Sequence, residues 1–375
     1  MKKILIAPNS YKGTINSIEA ANIIEEAFRD FSSLFAIQKM PLSDGGDDFL
    51  SVLEYCFNCE RFYFDAFDAY INPIKSFFLL EKNLNIAFIE SAEIIGLKRL
   101  ASKKLYPLKS SSYGLGIAIK EAAKLKVDKI IIGLGGTATI DAGIGVLSSL
   151  GAHFFDDDDK ELTPLAENLT LIRRVDLSNL DDAFLKLKIV VCCDVFAPIF
   201  GKNGAIYLYG PQKGADEKTM MTLELGFRNY FNLLGDKISD KNYLANSGAA
   251  GGIPASLKIF TNVTILSGAE FIFELLKFQE KINKFDIIIV GEGKLDNQTL
   301  QGKAPYAAGL LAKNNNKISA ILTGKNELPK NSIVPFDYII EMSSIESNQI
   351  KSPQKMLYLA TKKLIESLIK DEKIY

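Results

Sequence analysis

The sequence predicts an α/β protein of two domains, and three observations support that class. Short β-branched runs alternate with segments of helical periodicity near both ends of the chain. Between them lie aromatic-rich runs separated by turn residues, a pattern typical of antiparallel strands. The chain has 375 residues, 47% of them hydrophobic, which is enough for more than one core. We therefore expect an α/β domain that is split by an inserted domain.

The split domain is predicted to comprise residues 1–65 and 285–375. Its apolar runs each lead into a polar loop, and amphipathic segments follow several of them. Asn16, with Glu19 three residues later, marks the start of the first helix. The predicted strands are Lys3–Ala7, Ala36–Met40, Asp286–Val290, Ser319–Thr323 and Asp337–Met342.

The inserted domain, residues 66–284, is predicted to hold a mixed sheet. Antiparallel strands are expected at its start, and Val127–Ile132 and Lys188–Cys193 have the composition of buried strands. Two glycine-rich loops lie in this domain, Gly133–Gly145 and Ser247–Gly252.

Composition and charge exclude several functional classes. The 44 Lys and Arg residues balance 45 Asp and Glu residues, so neither nucleic acid nor a membrane surface is an expected partner. The opening apolar run is too short for a leader and no run approaches a membrane span, so a cytoplasmic protein is expected. Because His153 is the only histidine, carboxylates, lysines and backbone donors must supply any catalysis.

A phosphate-binding loop is predicted directly after the strand Val127–Ile132. Glycines let a backbone approach a ligand closely, and N–H groups at the start of the next helix attract anions. Two threonines add hydroxyl groups. The residues expected to cradle a phosphate are Gly133, Gly135, Gly136, Thr137 and Thr139.

Acidic residues follow several predicted strands, at the edge of the sheet where α/β proteins bind ligands. A carboxylate beside a phosphate would repel it, and a magnesium ion removes this conflict because it binds both groups. The acidic candidates are Asp44, Asp194, Glu292 and Asp296, and the loop lysines are Lys12, Lys213 and Lys303. Together with the glycine loop, these residues favour transfer of a phosphoryl group from a nucleotide.

Two other functional classes stay open on these observations. Gly133-x-Gly135-x-x-Ala138 follows a predicted strand, and Asp156 lies about twenty residues later, as in a dinucleotide-binding fingerprint. That pattern would suit an NAD(P)-dependent oxidoreductase of a small hydroxy acid, although it leaves the acidic loops unexplained. A non-enzymatic sensor of a nucleotide or sugar acid is the third class.

Loop segments along the chain also form an ordered set of motifs. They are Ile6–Gly13, Pro41–Gly46, Ile89–Leu97, Ser112–Gly116, Gly133–Gly143, Cys193–Pro198, Gly210–Ala215, Gly248–Gly252 and Gly291–Pro305. In this order they resemble the motifs of type I glycerate kinases, the bacterial glycerate 2-kinase group. The resemblance runs from about residue 4 to about residue 324.

The resemblance implies an ATP- and Mg²⁺-dependent kinase that phosphorylates D-glycerate at the 2-hydroxyl, giving 2-phosphoglycerate and ADP. It also implies two intertwined α/β domains with the active site in the cleft between them. One domain would be Rossmann-like with a mostly parallel sheet, and the other mixed with antiparallel strands. A small-molecule substrate is then the expected partner, and a homodimer is left open.

The chain departs from the family pattern at a few loop positions. Asn9 stands where an aspartate is usual, and Ser43 replaces a small apolar residue. Ile140 and Ala142 replace an asparagine and a glycine in the glycine loop, and Asn297 replaces a glycine. None of these changes removes Asp44, Asp194, Glu292 or Asp296, so activity is expected to be kept, while a reduced rate or a shifted substrate preference stays open.

We hypothesise the following roles for the residues that would bind the nucleotide. Backbone N–H groups of residues 133–139 and the loop threonines are expected to hold the nucleotide phosphates, with Glu292 and Lys303. Asp194 and Asp296 are expected to bind Mg²⁺, and Glu292 is a further candidate ligand.

On the substrate side, Asp44 is expected to orient or deprotonate the glycerate hydroxyl. Lys12 or Lys213 would steady the transferring phosphoryl group or the substrate carboxylate, and Asp194 would act in the same reaction.

Overall fold

The computed structural model describes residues 2–33, 35–46, 48–100, 104–180, 182–193, 197–235, 246–260, 262–297, 299–329, 331–345 and 352–373. The chain forms two compact units. The split unit consists of Met1–Phe57 and Gly268–Tyr375, and the inserted unit consists of Asn58–Ser267.

The strands are β1 (Lys3–Pro8), β2 (Ala36–Lys39), β3 (Glu60–Phe67), β4 (Pro73–Glu81), β5 (Ile86–Glu90), β6 (Lys129–Gly133), β7 (His153–Phe155), β8 (Arg174–Asp176), β9 (Lys188–Cys193), β10 (Asn262–Ser267), β11 (Ile287–Leu295), β12 (Ile318–Asn326) and β13 (Tyr338–Glu341). The helices are α1 (Ser17–Phe31), α2 (Phe49–Cys56), α3 (Ser91–Ile95), α4 (Tyr113–Lys124), α5 (Ile144–Ser149), α6 (Asp182–Lys186), α7 (Ala205–Tyr209), α8 (Glu217–Leu233), α9 (Ala249–Phe260), α10 (Gly268–Leu275), α11 (Phe278–Ile282), α12 (Ala304–Asn314) and α13 (Pro353–Lys370).

The split unit is built on a five-stranded parallel sheet in the order β13-β12-β11-β1-β2. Ile4, Ile6, Ile287 and Ile289 alternate along β1 and β11 and pack in one core with the apolar faces of α1 and α13. Counted within this unit, the strand order is 2-1-3-4-5, one of the two common doubly wound orders. The order reverses between β1 and β11, and the carboxyl ends of strands at such a point are where these sheets bind ligands.

The inserted unit is built on a six-stranded mixed sheet in the order β10-β9-β6-β5-β4-β3. β5, β6, β9 and β10 are parallel, whereas β3, β4 and β5 pair antiparallel. A separate ribbon of β7 and β8 carries His153, whose Nδ1 lies 2.6 Å from Oε1 of Glu161 at the surface. The predicted α/β class, with one parallel sheet and one mixed sheet, is confirmed.

One segment differs from the sequence-based expectation. Residues Gly291–Leu295, predicted as a loop, extend β11 and pair with β12 as far as Asn326. The glycine loop is followed by a helix, as predicted: α5 begins at Ile144, and ten residues separate it from β6. The predicted domain limits at residues 65 and 285 fall within β3 and just before β11. Among the described helices, none is long and apolar enough to cross a membrane.

Candidate active site

The polar loops of the split unit meet at the point where its strand order reverses. Asn9 directly follows β1, and its N–H donates to the Gly291 carbonyl of β11 at 2.8 Å. The segment after β2 is tied to the same edge, because the N–H of Leu42 donates to the Pro8 carbonyl at 2.9 Å. The loops after β1 and β2 and the end of β11 therefore share one edge, as parallel pairing predicts.

Asp44 lies buried at this edge with both carboxylate oxygens hydrogen-bonded. Oδ1 accepts from the N–H of Ala304, the first residue of α12, at 2.7 Å, and Oδ2 accepts from Nδ2 of Asn9 at 2.5 Å. Burial raises the pKa of Asp44, and the Ala304 N–H, Lys303, Lys12 and the Asn9 amide act in the opposite direction. A carboxylate is favoured at a helix N-terminus, so α12 helps to hold Asp44 in place.

Glu292 projects from β11 and is only 4% exposed. Its Oε2 accepts from the Thr299 hydroxyl at 3.2 Å, whereas Oε1 is buried without a hydrogen-bond partner in the described part of the chain. Burial raises the pKa of Glu292 to about 8; Lys303 opposes this change, and the charges of Asp44 and Asp296 add to it. A buried oxygen without a donor is costly, so we expect a ligand to bind it.

Asp296 lies at the end of β11, with its side chain 20% exposed. Its Oδ1 accepts from the N–H of Thr299 at 3.2 Å, and its Oδ2 lies 3.5 Å from Nζ of Lys294. No three His, Cys, Asp or Glu side chains are grouped as metal ligands in the ranges that the structure describes. Mg²⁺ is commonly held by one or two carboxylates with waters and substrate phosphates, and Glu292 and Asp296 are the described carboxylates here that could hold such an ion.

In the glycine loop of the inserted unit, several backbone N–H groups are hydrogen-bonded to other residues of the chain. Leu134, Ala138 and Ile140 donate their N–H groups to the Cys192 carbonyl, the Ile95 carbonyl and the Ser110 hydroxyl. Within residues 104–180 and the other described ranges, the N–H groups of residues 135–137 have no acceptor. Gly136 is exposed and Gly135 is half-buried. The donors open to a ligand are therefore fewer than the predicted run 133–139.

Asp141 occupies the start of α5. Its Oδ2 accepts from the N–H and hydroxyl of Ser112 at 2.6 and 2.7 Å and from the Gly145 N–H at 3.2 Å. Its Oδ1 accepts from the Gly143 N–H at 3.2 Å. Burial raises the pKa of Asp141, and these donors counteract the rise. The expectation that this helix start attracts a phosphate is therefore wrong, because a carboxylate of the chain itself is bound there.

The dinucleotide-binding interpretation needs a strand that leads directly into a helix, with Ala138 packed at the helix start. Ala138 instead lies in the loop, six residues before α5 begins at Ile144, and its N–H is bonded to Ile95. The chain therefore has the residue spacing of the dinucleotide-binding fingerprint, but not the direct turn from strand to helix that the fingerprint requires.

Lys213 lies beside the glycine loop and is 3% exposed. Its Nζ donates to the Thr139 carbonyl at 2.8 Å and to the Thr137 hydroxyl at 3.1 Å. Burial lowers the pKa of Lys213 to about 7, and the charge of Asp141 acts in the opposite direction. The Thr139 hydroxyl oxygen is buried and has no partner among the described residues. Lys213 therefore fixes the loop from one side.

The second glycine-rich loop, Ser247–Gly252, packs against the first and bonds its backbone. Residues 250–252 all adopt left-handed φ angles of 50°, 71° and 91°. A Cβ at Gly251 would collide with the Thr139 carbonyl, and the Gly251 carbonyl accepts from the Ala142 N–H at 2.9 Å. Ala142 is itself left-handed, with φ 54°, and Ile140 is fully buried. Both departures from the family pattern thus lie in the buried part of the loop, where each N–H group is bonded within the chain.

The structure brings the predicted residues together in two sets. In the split unit they are Lys12, Asp44, Glu292, Asp296 and Lys303. In the inserted unit they are Gly133, Gly135, Gly136, Thr137, Thr139 and Lys213. Asp194 lies outside the described residues. Sequence reasoning missed Thr299, although its place three residues after Asp296 is a turn signal.

Comparison with known proteins agrees with the motifs. A sequence model of the Glycerate kinase family matches residues 4–370. The chain belongs to this family. It is 33% identical over 312 residues to the glycerate kinase of Bacillus cereus, covering 83% of this chain and 82% of that protein. It is 32% identical over 316 residues to the glycerate 2-kinase of Escherichia coli, covering 84% and 83%.

A solved structure gives the same result for the fold. The crystal structure of a glycerate kinase 2 from Salmonella typhimurium matches 100% of both chains with a TM-score of 0.81 and 30% identity. The resemblance to type I glycerate kinases is confirmed, and the protein is a kinase, a transferase of glycerate metabolism.

Proposed function

We propose that this kinase transfers the γ-phosphoryl group of ATP to the 2-hydroxyl of D-glycerate, giving 2-phosphoglycerate and ADP. The observation that carries the proposal is the buried, unpaired Oε1 of Glu292 at the edge that also holds Asp44. The Escherichia coli relative is named a glycerate 2-kinase, which supports transfer to the 2-hydroxyl.

Mg²⁺ fits the residues of this edge. A cation at Glu292 would satisfy Oε1 and relieve the repulsion that Asp44 and Asp296 exert on it. We assign the ion to Glu292 and Asp296, while Asp194 stays a predicted ligand. When bound, Mg²⁺ would offset the negative charge of the nucleotide phosphates.

Asp44 is the proposed proton acceptor. The hydroxyl O–H bond breaks as the proton moves to Asp44, the substrate oxygen forms a bond to the γ-phosphorus, and the bond from that phosphorus to the bridging oxygen of ADP breaks. Its raised pKa favours accepting the proton, and the Ala304 N–H fixes its direction. Lys303 and Lys12 place positive charge near Asp44, where the transferring phosphoryl group needs it.

In the inserted unit, the N–H groups of residues 135–137 are the proposed donors to nucleotide phosphate oxygens. A run of backbone N–H groups suits an anion without adding side-chain charge. Lys213 and Thr139 would complete this set, because the ammonium group keeps one N–H beyond its two hydrogen bonds.

An assay with ATP, Mg²⁺ and D-glycerate tests the proposal, with the product identified by ³¹P NMR. We expect 2-phosphoglycerate, and Asp44→Asn should lower kcat by at least about 100-fold, or about 2.7 kcal/mol of barrier, with ATP binding unchanged. The 3-phospho isomer as sole product would correct the regiochemistry. Thermal stabilisation by NAD but not by ATP with Mg²⁺ would contradict the kinase chemistry. The cytoplasmic location and the homodimer stay predictions.

A further inference from the structure

We infer that Thr299 is a positioning residue that holds the carboxyl groups of Glu292 and Asp296 within reach of one hydroxyl group, so that both can bind the same cation. The inference rests on the proposed function, in which these two residues hold Mg²⁺. Thr299 itself touches neither the substrate nor the phosphates in this scheme.

The strand that carries the two carboxyl groups does not bring them together by itself. Glu292 lies within β11, and Asp296 directly follows its last residue, Leu295. Because an extended chain rises by about 3.3 Å per residue, residues four apart are separated by up to about 13 Å. A single Mg²⁺ contacts its ligand atoms at about 2.1 Å. The directions of the two side chains therefore decide whether one ion can contact both.

The chain turns after Asp296 and brings Thr299 back to both carboxyl groups. Oγ1 of Thr299 lies 3.2 Å from Oε2 of Glu292 and 3.5 Å from Oδ1 of Asp296. The Thr299 N–H donates to Oδ1 of Asp296, and the Asp296 N–H donates to Oγ1 of Thr299, both at 3.2 Å. One residue therefore links the two proposed ligands, with its side chain at Glu292 and with its backbone at Asp296.

The hydroxyl group of Thr299 is suited to this link because it can donate one proton and also accept. It accepts from the Asp296 N–H, and its proton has two acceptors at 3.2 Å, Oε2 of Glu292 and the Lys294 carbonyl. A charged acceptor gives the stronger hydrogen bond, so the carboxylate form of Glu292 takes the proton. The other oxygen of Glu292, the buried Oε1, is then directed to the cation.

Burial makes Thr299 a stronger determinant of this geometry than the nearby lysine. Thr299 is fully buried, so water cannot replace its hydrogen bonds. Nζ of Lys294 also approaches Asp296, at 3.5 Å from Oδ2, but its side chain is 50% exposed and lies closer to Glu327, at 2.6 Å. An exposed ion pair of this kind holds its partner weakly.

Replacing Thr299 by valine removes the hydroxyl group and keeps both the branched shape and the backbone N–H. The experiment titrates the nucleotide-free, full-length protein with Mn²⁺ and follows the free ion by EPR, and the site in question is the one that is lost in Glu292→Gln. Groups that orient metal ligands are typically worth 10- to 100-fold in metal affinity. We therefore expect the Kd for Mn²⁺ to rise at least about tenfold in Thr299→Val, and less than about threefold in Thr299→Ser, which keeps the hydroxyl group.

Kinetics separate positioning of the cation from a direct part in the reaction. The Mg²⁺ concentration that gives half of the maximal rate should rise in Thr299→Val by about the same factor as the Kd for Mn²⁺. At saturating Mg²⁺, kcat should return to within about threefold of wild type, and the KM for D-glycerate should change by less than about two-fold. A kcat that stays low at every Mg²⁺ concentration, with wild-type Mn²⁺ affinity, would contradict the positioning role.

Thr361→Val is the matched control. Thr361 is also fully buried in the split unit, and its hydroxyl group donates to the Leu357 carbonyl of α13 at 2.9 Å. The same substitution there removes a buried hydrogen bond, so both variants should unfold at lower urea concentration than wild type. We expect the Kd for Mn²⁺ to stay within about two-fold of wild type in Thr361→Val. An equal rise in both variants would show a general effect of lost stability and overturn the inference.

The remaining outcomes separate the inference from the proposed function. An active wild-type enzyme, with the same Mn²⁺ affinity in Thr299→Val, would overturn the role of Thr299 alone. Absence of Mn²⁺ binding by the wild type at millimolar concentrations would also overturn it, because the two carboxyl groups would then form no cation site. A wild type that binds Mn²⁺ without phosphorylating D-glycerate would contradict the proposed function instead, and the Mn²⁺ titrations of the two Thr299 variants would still test the inference.

Discussion

Glu292 in the split unit and Lys213 in the inserted unit are both almost fully buried, yet they differ in how their charge is satisfied. Burial raises the pKa of Glu292 to about 8 and lowers that of Lys213 to about 7. Lys213 has two acceptors in the chain, whereas one oxygen of Glu292 has no donor among the described residues. The carboxylate therefore needs a ligand, whereas the lysine is already bonded to its loop and keeps one N–H for the proposed phosphate contact.

The largest effect should follow the loss of the Glu292 charge. Glu292→Gln keeps the shape but removes the charge that would bind the cation, so we expect kcat to fall by about 10³-fold, equivalent to about 4 kcal/mol. Activity should also require much more Mg²⁺.

Glu341→Gln is the control, because Glu341 ends the edge strand β13 of the same sheet and its Oε1 bonds only Ser343 among the described side chains. It should leave turnover within about two-fold. Wild-type turnover in Glu292→Gln would remove Glu292 from the reaction.

The second effect is a pH dependence of stability in Mg²⁺-free protein. The pKa of Glu292 is raised in the folded state, so the folded protein holds a proton that the unfolded chain has lost. The contribution to the free energy of unfolding is complete below the ordinary pKa of 4.5 and is lost as the pH rises through about 8.

Urea titrations at several pH values should show wild type losing stability relative to Glu292→Gln across this window, by about 1.4 kcal/mol for each rise of one pH unit. Saturating Mg²⁺ should weaken the trend, because the ion takes the place of the proton. Parallel curves for the two proteins would show that Glu292 is ordinarily solvated.

Some of the features behind these effects were predicted from the sequence, and others were not. β1 was predicted from the apolar run Ile4–Ile6, and Asp44 was found because the carboxyl ends of parallel strands meet at one edge. The end of β11 was missed, since glycine and lysine disfavour strands. The strand continues because these residues pair with β12. Gly324 permits this close pairing, since a Cβ there would collide with the Gly293 carbonyl.

The glycine loop of the inserted unit shows the same limit of prediction from local sequence. Its strand, glycines and threonines were predicted from local composition. The use of Asp141 was not, because its partner Ser112 lies 29 residues earlier and only the fold brings them together. A sequence pattern marks where polar groups accumulate, while tertiary contacts decide which of them are left for a ligand.

A smaller effect isolates the contact between the two glycine loops. Gly251→Ala and Gly201→Ala both place an alanine at a left-handed φ, of 71° and 87°, so each variant carries about 1–2 kcal/mol of backbone strain. Only Gly251→Ala also collides with the Thr139 carbonyl, whereas the space around Gly201 is open.

We therefore expect Gly251→Ala to lower the free energy of unfolding by about 2 kcal/mol more than Gly201→Ala, as urea titration measures it. Because Thr139 also accepts from Lys213, the KM for ATP should rise only in Gly251→Ala. Equal losses of stability would show that the loop yields to the added methyl group.

The smallest effect should come from Lys213→Met, because removing a buried ammonium group relieves its desolvation but leaves two acceptors unpaired. We expect a net change of about 1 kcal/mol in the free energy of unfolding at pH 7. The pH trend should be opposite to that of Glu292. The pKa of Lys213 is lowered in the folded state, so the unfolded chain binds the extra proton and wild-type stability rises between about pH 7 and 10.5.

Urea titrations from about pH 6 to 9.5 should show this rise in wild type and in the control Lys218→Met, whose lysine is exposed on α8, but not in Lys213→Met. If Lys213→Met kept the rise, the ammonium group would be charged in the folded protein. The contrast with Glu292 would then be one of charge sign alone, and a full positive charge on Lys213 would strengthen its proposed contact with a nucleotide phosphate.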